Sequence, residues 1–415
     1  MREKQALTLL ILSLLAVASI QAVAPGTASA YTPHAPIYIS GDSGFTYPNG
    51  VTGGSGISSD PYIIEGWDID ATTANGIEIR NTNAYFIIRN VQVHSGGLIR
   101  TGIFLGSANN GVIQDAFVYG NYRGIFIWLS SRITVWGGKA YSNTAEGISL
   151  LSSSQTTVAS LNMSSNGRDG IRIFSSTLVT MTGNNISSNQ ANGVNLYDSS
   201  NVTITVNTVT RNSQTGIALA SAVDNKIYHN DISDNGEQAY DDLASENAWD
   251  AGYPSGGNRW SGYVGQDACN GIDQNVCTGP DGIGDLPYMI DSDSQDRYPL
   301  MVSYRDTLQP TWSPGSYVTA NQIGSTTVTL VWTSAVDDVM VLGYRVYQGS
   351  SLIAVLPSTL QTYKVTGLTQ GTSYTFRIEA GDEASNWSHS GPSTIATTAS
   401  GTPGGGGGGR RFFLL

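Results

Sequence analysis

The 415-residue chain is short of charge, of sulfur and of histidine. Charged residues make up 13% of it, and 20 Lys+Arg face 32 Asp+Glu, a formal net charge of −12. With no basic excess to meet a phosphate backbone, a nucleic-acid partner is disfavoured. There are two cysteines, Cys269 and Cys277. So close a pair in an exported chain suggests one local disulfide. The alternative, a thiol metal pair, lacks a nearby His or further Cys to complete it. Long apolar runs are missing except near the start, where Arg2 and Lys4 precede a largely apolar stretch from Leu7 to Ala24 and Ala28-Ser29-Ala30 follows. Residues 1–30 therefore read as an export signal with a small-residue cleavage site. The run is long for such a signal, so an uncleaved membrane anchor is the other reading, and the only route to a membrane. A secreted or cell-surface location follows.

A helical periodicity is also missing, and a repeat stands in its place. Gly102-Ile103-Phe104-Leu105 returns as Gly124-Ile125-Phe126-Ile127, Gly147-Ile148-Ser149-Leu150, Gly170-Ile171-Arg172-Ile173, Gly193-Val194-Asn195-Leu196 and Gly216-Ile217-Ala218-Leu219. Subtracting successive glycine positions gives 22 once and then 23 four times; an earlier copy, Gly76-Ile77-Glu78-Ile79, stands 26 before the first. Such a period marks a solenoid or array. Each repeat holds two further alternating phrases, for example Ile133/Val135 and Leu161/Met163, so three short strands fit in one period. The L-x-x-L-x-L spacing of a leucine-rich repeat is absent. The expected fold is all-β: a parallel β-helix of about 23 residues per rung, followed by a C-terminal β-sandwich.

Asparagine recurs in the same rhythm, at Asn121, Asn143, Asn166, Asn189, Asn212 and Asn235. Asparagine tolerates left-handed backbone, and stacked amides can bond from rung to rung. The glycine before each inward Ile marks a place where no side chain fits.

The layout expected is an export signal at 1–30, an N-terminal cap and first rung at 31–75, repeats at 76–235 and an acidic C-terminal cap at 236–301. A module of alternating strands at 309–398, separate from the coil, precedes a Gly-rich tail at 399–415. In the acidic stretch Trp249, Trp260 and Tyr263 supply apolar bulk, and only Arg259 and Arg297 oppose the carboxylates.

Two resemblances rest on particular residues. Thr52 to Ile69, the 23-residue repeats, Asn258 to Tyr263, Asp281 to Tyr288 and Tyr298-Pro299-Leu300 resemble the NosD-like right-handed parallel β-helix, within the carbohydrate-binding and sugar-hydrolase β-helix group. Residues 309–398 are similar to fibronectin type III domains through Trp332, Tyr344-Arg345-Val346-Tyr347 and Leu368 to Tyr374, which looks like a tyrosine corner. The first resemblance implies export and a copper-handling role in assembling nitrous oxide reductase. Soft copper sites need clustered Cys, Met and His, whereas His34, His94, His229 and His389 are scattered. It also brings in lyases, epimerases and hydrolases of polysaccharide, although the D-P-H-D signature of an alginate epimerase is absent.

Candidate site residues fall into three sets. Asp169 and Arg172, with Glu146 one rung earlier, are the weak catalytic candidates, and ordinary solvated charge at rung edges is the alternative; Asp115 and Arg123 lie in neighbouring turns. Phe104, Phe126, Trp128, Phe174 and Tyr197 point outward if the Ile and Leu of each phrase point inward. Trp128, Leu151, Phe174 and Tyr197 then share one column on which sugar rings can stack, unless a loop or cap covers it. Asp281, Asp285, Asp291 and Asp293 lie in a Gly-containing loop where hard oxygens could gather calcium, without the spacing of an EF-hand. The reading that follows is a non-catalytic binder of polysaccharide or of a cell-surface glycan or protein, with a polysaccharide-modifying enzyme second and copper handling third.

Overall fold

A computed structural model describes residues 31–242 and 246–400. The export signal read at 1–30 and the end of the tail, from 401 on, lie outside the described residues. Each turn of the chain gives one short strand to each of three sheets, which hold ten, nine and nine strands among the described residues. Neighbouring strands are parallel except where Val51–Gly53 pairs antiparallel with Tyr62–Glu65. The Gly-Ile phrases build one sheet, in which Ile125, Ile148, Ile171, Val194 and Ile217 pair in register. All five are buried. Because side chains alternate across a strand, stacking identical phrases keeps each apolar file inside along the whole coil.

The coil is longer than its glycine repeat. Ile37–Ser40 already pairs with Ile77–Thr82, inside the segment read as N-terminal cap and first rung. At the other end Glu237–Asp241 and Arg259–Trp260 extend two of the sheets into the expected acidic cap. The first turn lacks the glycine and carries a long excursion, so counting glycines misses it.

The asparagine file bonds from rung to rung. Asn143 donates through Nδ2 to Oδ1 of Asn166 at 3.1 Å, and Asn166 to Asn189 at 3.0 Å. The left-handed residue is not the asparagine, however. It is the residue before it: Ser142, Ser165, Ser188 and Arg211, with φ between 51° and 57°. The asparagine amide instead ties the bent backbone to the next rung. At Gly147 a Cβ would sit 2.7 Å from both Asn166 Nδ2 and the Gly170 carbonyl oxygen, so the ladder itself excludes a side chain there.

Past the last regular turn Trp249 and Trp260 close the end of the coil's apolar core. Asp296 is buried beneath them and accepts hydrogen bonds from Asn258 N at 2.6 Å, Trp260 Nε1 at 2.8 Å and Tyr298 N at 3.0 Å. Arg259 pairs with Asp231 and Arg297 with Asp250, each at 2.7 Å. Cys269 and Cys277 form a disulfide.

The C-terminal module is a sandwich of a three-stranded and a four-stranded antiparallel sheet. Trp332 is buried edge-on against Tyr344. The Tyr374 hydroxyl accepts from the Thr369 amide at 2.9 Å, the expected corner. This module does not stand apart from the coil. Ile87, Val112, Trp136 and Ala159, on the outer face of another coil sheet, share one buried cluster with the sandwich core. Polar ties flank it: Lys364 donates from its backbone to the Ser59 carbonyl at 3.0 Å and from Nζ to Asp60 at 3.2 Å. Among the described residues no helix is long and apolar enough to cross a membrane.

Candidate functional site

The outer face of the Gly-Ile sheet carries the aromatic residues in two files. One runs Glu78, Phe104, Phe126, Ser149, Arg172, Asn195; the other runs Arg80, Gly106, Trp128, Leu151, Phe174, Tyr197. The expected column of 128, 151, 174 and 197 is therefore formed. Phe104 differs from its expected exposure. It stands on the outer face yet is only 6% exposed, because the Arg80 guanidinium lies 4.4 Å over its ring and Phe126 packs against it at 5.3 Å. Gly106 leaves room for this: a Cβ there would fall 2.7 Å from the Phe104 ring.

Phe174 and Tyr197 stack in parallel, 5.2 Å apart with 7° between planes. Ala220 follows Tyr197 in the file, so no further ring covers its far face, and Tyr197 is 43% exposed. Between Phe126 and Arg172 the register places only Ser149. That small residue lines a hollow of about 240 Å³ together with Phe126, Phe174, Arg123, Arg172 and Leu151.

The charged candidates gather beside it. Glu146 is fully buried, bonded by Arg123 Nε at 2.9 Å, with Arg168 and Arg172 guanidiniums at 3.9 and 4.0 Å. One Glu146 oxygen and Arg172 Nε lack a hydrogen-bond partner. Arg123 also lies 4.9 Å over the Phe126 ring. Asp169, one rung on, is buried and accepts from the Asn192 amide and the Asn192 and Asn195 side chains, each at 3.0 Å. Burial pushes its carboxyl above the ordinary range and nearby Glu146 adds to this, while the three hydrogen bonds pull it down. Thus Asp169, Arg172 and Glu146 come together, at the edge of the aromatic hollow. Arg123 was visible only as a neighbour, and Arg80 carried no signal in the sequence. The far-apart numbers of both hid their shared face.

The loop acids do not converge. Asp285 accepts from the Ala268 and Cys269 amides, Asp281 from the Ile283 amide and the Gln274 side chain, and Asp291 from the Asp293 and Ser294 amides. No three of Asp281, Asp285, Asp291 and Asp293 bring ligand atoms within 4.8 Å of one another among the described residues. A loop this rich in turns uses its carboxylates to hold backbone amides.

Fold and face together define a parallel β-helix with an attached fibronectin type III sandwich. The sequence model of the family described as "Periplasmic copper-binding protein (NosD)" matches residues 38–265, more than half of the chain, and the chain belongs to that family. The fibronectin type III domain model matches residues 312–395. Chitinase A1 of Niallia circulans is 47% identical over 83 residues, 20% of this chain and 11% of that protein. Exoglucanase A of Cellulomonas fimi is 39% identical over 111 residues, 26% of this chain and 12% of that protein. The chain thus spans only about an eighth of either relative's length. Among solved structures, the mannuronan C-5 epimerase A-module of Azotobacter vinelandii is similar at 20% identity with a TM-score of 0.39, over 45% of this chain and 62% of that one.

Proposed function

We propose that this is an exported protein whose aromatic face binds polysaccharide without altering it. The observation that carries this reading is the hollow that Ser149 lines. Ring faces and guanidiniums meet there, on rigid strands that repeat at roughly 4.8 Å. A sugar ring presents C–H surface to an aromatic face and hydroxyls to a guanidinium, so both parts of the hollow have a complement. The neighbouring Tyr197 face would take a further sugar along the coil axis. Support comes from relatives named as a chitinase and an exoglucanase, and from a family described as periplasmic.

A glycan array screened with full-length protein tests the reading. Binding to one class of polysaccharide, weakened in Phe174→Ala and Tyr197→Ala, is the expected result. Retention by no glycan would overturn it.

A second reading, a polysaccharide-modifying enzyme, draws on the buried Asp169 with its raised carboxyl beside Arg172. A lyase or epimerase needs a cation to neutralise a sugar carboxylate and a group to move a proton. Asp169 is already engaged by three hydrogen bonds, which favours a positioning role for it.

The copper named in the family description does not fit these residues. His94 bonds Asp68, His229 stacks on Tyr304, and His34 packs against Trp67. Met163 and Met181 are core residues, and both cysteines are in the disulfide. No soft donor set is assembled among the described residues.

A further inference from the structure

We propose that Asp306, Asp337 and Asp382, with Glu383 buried beside them, form a calcium site that ties the sandwich to the coil. One ligand oxygen from each of Asp306, Asp337 and Asp382 lies within 4.8 Å of the others. Two oxygens that each sit roughly 2.3–2.6 Å from one calcium ion can be no farther apart than about that distance. Glu383, next to Asp382 in the chain, is only 7% exposed, and neither of its carboxylate oxygens has a hydrogen-bond partner. It faces the Asp306 carboxylate. Asp306, 5% exposed, likewise keeps Oδ2 without a partner, as Asp337 keeps Oδ1.

The remaining oxygens are held by turns. Asp306 accepts from the Leu308 amide at 2.9 Å, and Asp337 from the Val339 and Met340 amides at 3.1 and 2.9 Å. Asp382 accepts from the Asn386 amide at 2.7 Å and its side chain at 2.9 Å. The carboxylates are therefore fixed in orientation, with Asp306 Oδ2 and Asp337 Oδ1 left without a partner and both Asp382 oxygens held by Asn386. Among the described residues no Lys, Arg or His nitrogen lies within 4.0 Å of any of the four.

Buried charge of one sign needs a counter-charge. An all-oxygen set with no imidazole or thiolate suits a hard cation, and a cluster of carboxylates with flexible geometry suits calcium better than magnesium. The position gives the ion a task. Asp337, Asp382 and Glu383 belong to the sandwich, and Asp306 to the segment leading into it. Two residues before Asp306, Tyr304 stacks on His229 of the coil at 3.8 Å. Glu383 itself lies against Gly183 of the coil, where an added Cβ would be 3.2 Å from its own Cβ.

Full-length protein stripped with chelator and titrated with calcium by calorimetry tests the site. One calcium should bind and raise the thermal midpoint. Asp306→Asn with Asp337→Asn should weaken binding at least about ten-fold, since site charge sets affinity. Asp285→Asn, in the cap loop, should bind calcium as wild type does. Removing repulsion should leave the double variant as stable as the stripped wild type, which checks that it folds. Terbium luminescence sensitised by Tyr304 and quenched by added calcium gives a readout in unmutated protein. No binding up to about 10 mM calcium, no terbium signal, or unchanged affinity in the double variant would each overturn the site.

Discussion

Asn166 illustrates how much one residue carries in this coil. Its side chain donates to Asn189 Oδ1 and to the Ala140 carbonyl, and its Oδ1 accepts from both the backbone and side chain of Asn143. Replacing it by Ala leaves these buried groups unpaired, at about 1–3 kcal/mol for each unsatisfied group. Asn166→Ala should therefore lower stability by about 2–4 kcal/mol in urea unfolding; a change below about 0.5 kcal/mol would show the ladder to be ornamental. Ile171→Asp in the adjacent inward file should cost still more, several kcal/mol, because it buries an unpaired charge. Asp296 gives a pH signature. Burial, then Asp250 nearby, pushes its carboxyl up to about 7 from 3.8 despite three hydrogen bonds. A raised folded value means the native state holds the proton more tightly. Its contribution is full below about 4, is lost as pH rises through about 7, and is level beyond that. Unfolding free energies of wild type minus those of Asp296→Asn, followed from pH 4 to 8, should fall by this curve. A difference that rises with pH would reverse the assignment.

At the scale of elements, what could be read in the sequence was what repeats. The Gly-Ile phrase and its inward file were legible because burial recurs at the same place in each period. Two further ladders carried the same signal and went unread. Asn184, Asn207 and Asn230 are spaced 23 apart and bond in series, ending on Asn258. Ser130, Ser153, Ser176 and Ser199 do the same through backbone amides. Their turns lie between polar phrases, where composition offers no contrast. The docking of the sandwich was harder to see, although Phe86-Ile87-Ile88 is apolar on both faces, the mark of a strand buried twice. Trp136 sits in that junction, its ring about 3 Å from where a Gly343 Cβ would be. Trp136→Ser should then lower the thermal midpoint and split one unfolding transition into two by calorimetry, the sandwich melting apart from the coil. One unshifted transition would show the junction to be energetically idle. The acidic site at the same junction was invisible for another reason: Asp306, Asp337 and Asp382 come from three segments that only folding joins.

For the whole molecule, the coil offers one sheet to the sandwich and leaves the Gly-Ile sheet with rings and guanidiniums on its outer face. A stiff coil suits a long ligand, because successive rungs repeat the same contacts without loop ordering. The candidate face was legible in part: the aromatic column followed from the period, whereas the hollow depends on Ser149 being small between two large neighbours. The most direct test is calorimetric titration of the glycan retained best on an array, using wild type, Phe174→Ala, Tyr197→Ala and Asp169→Ala, with the glycan recovered and sized afterwards. A binder requires that the two aromatic changes each weaken affinity by about 1–3 kcal/mol, that Asp169→Ala matter less, and that the recovered glycan be intact. Shortened, unsaturated or epimerised sugar from wild type, absent with Asp169→Ala, would contradict it.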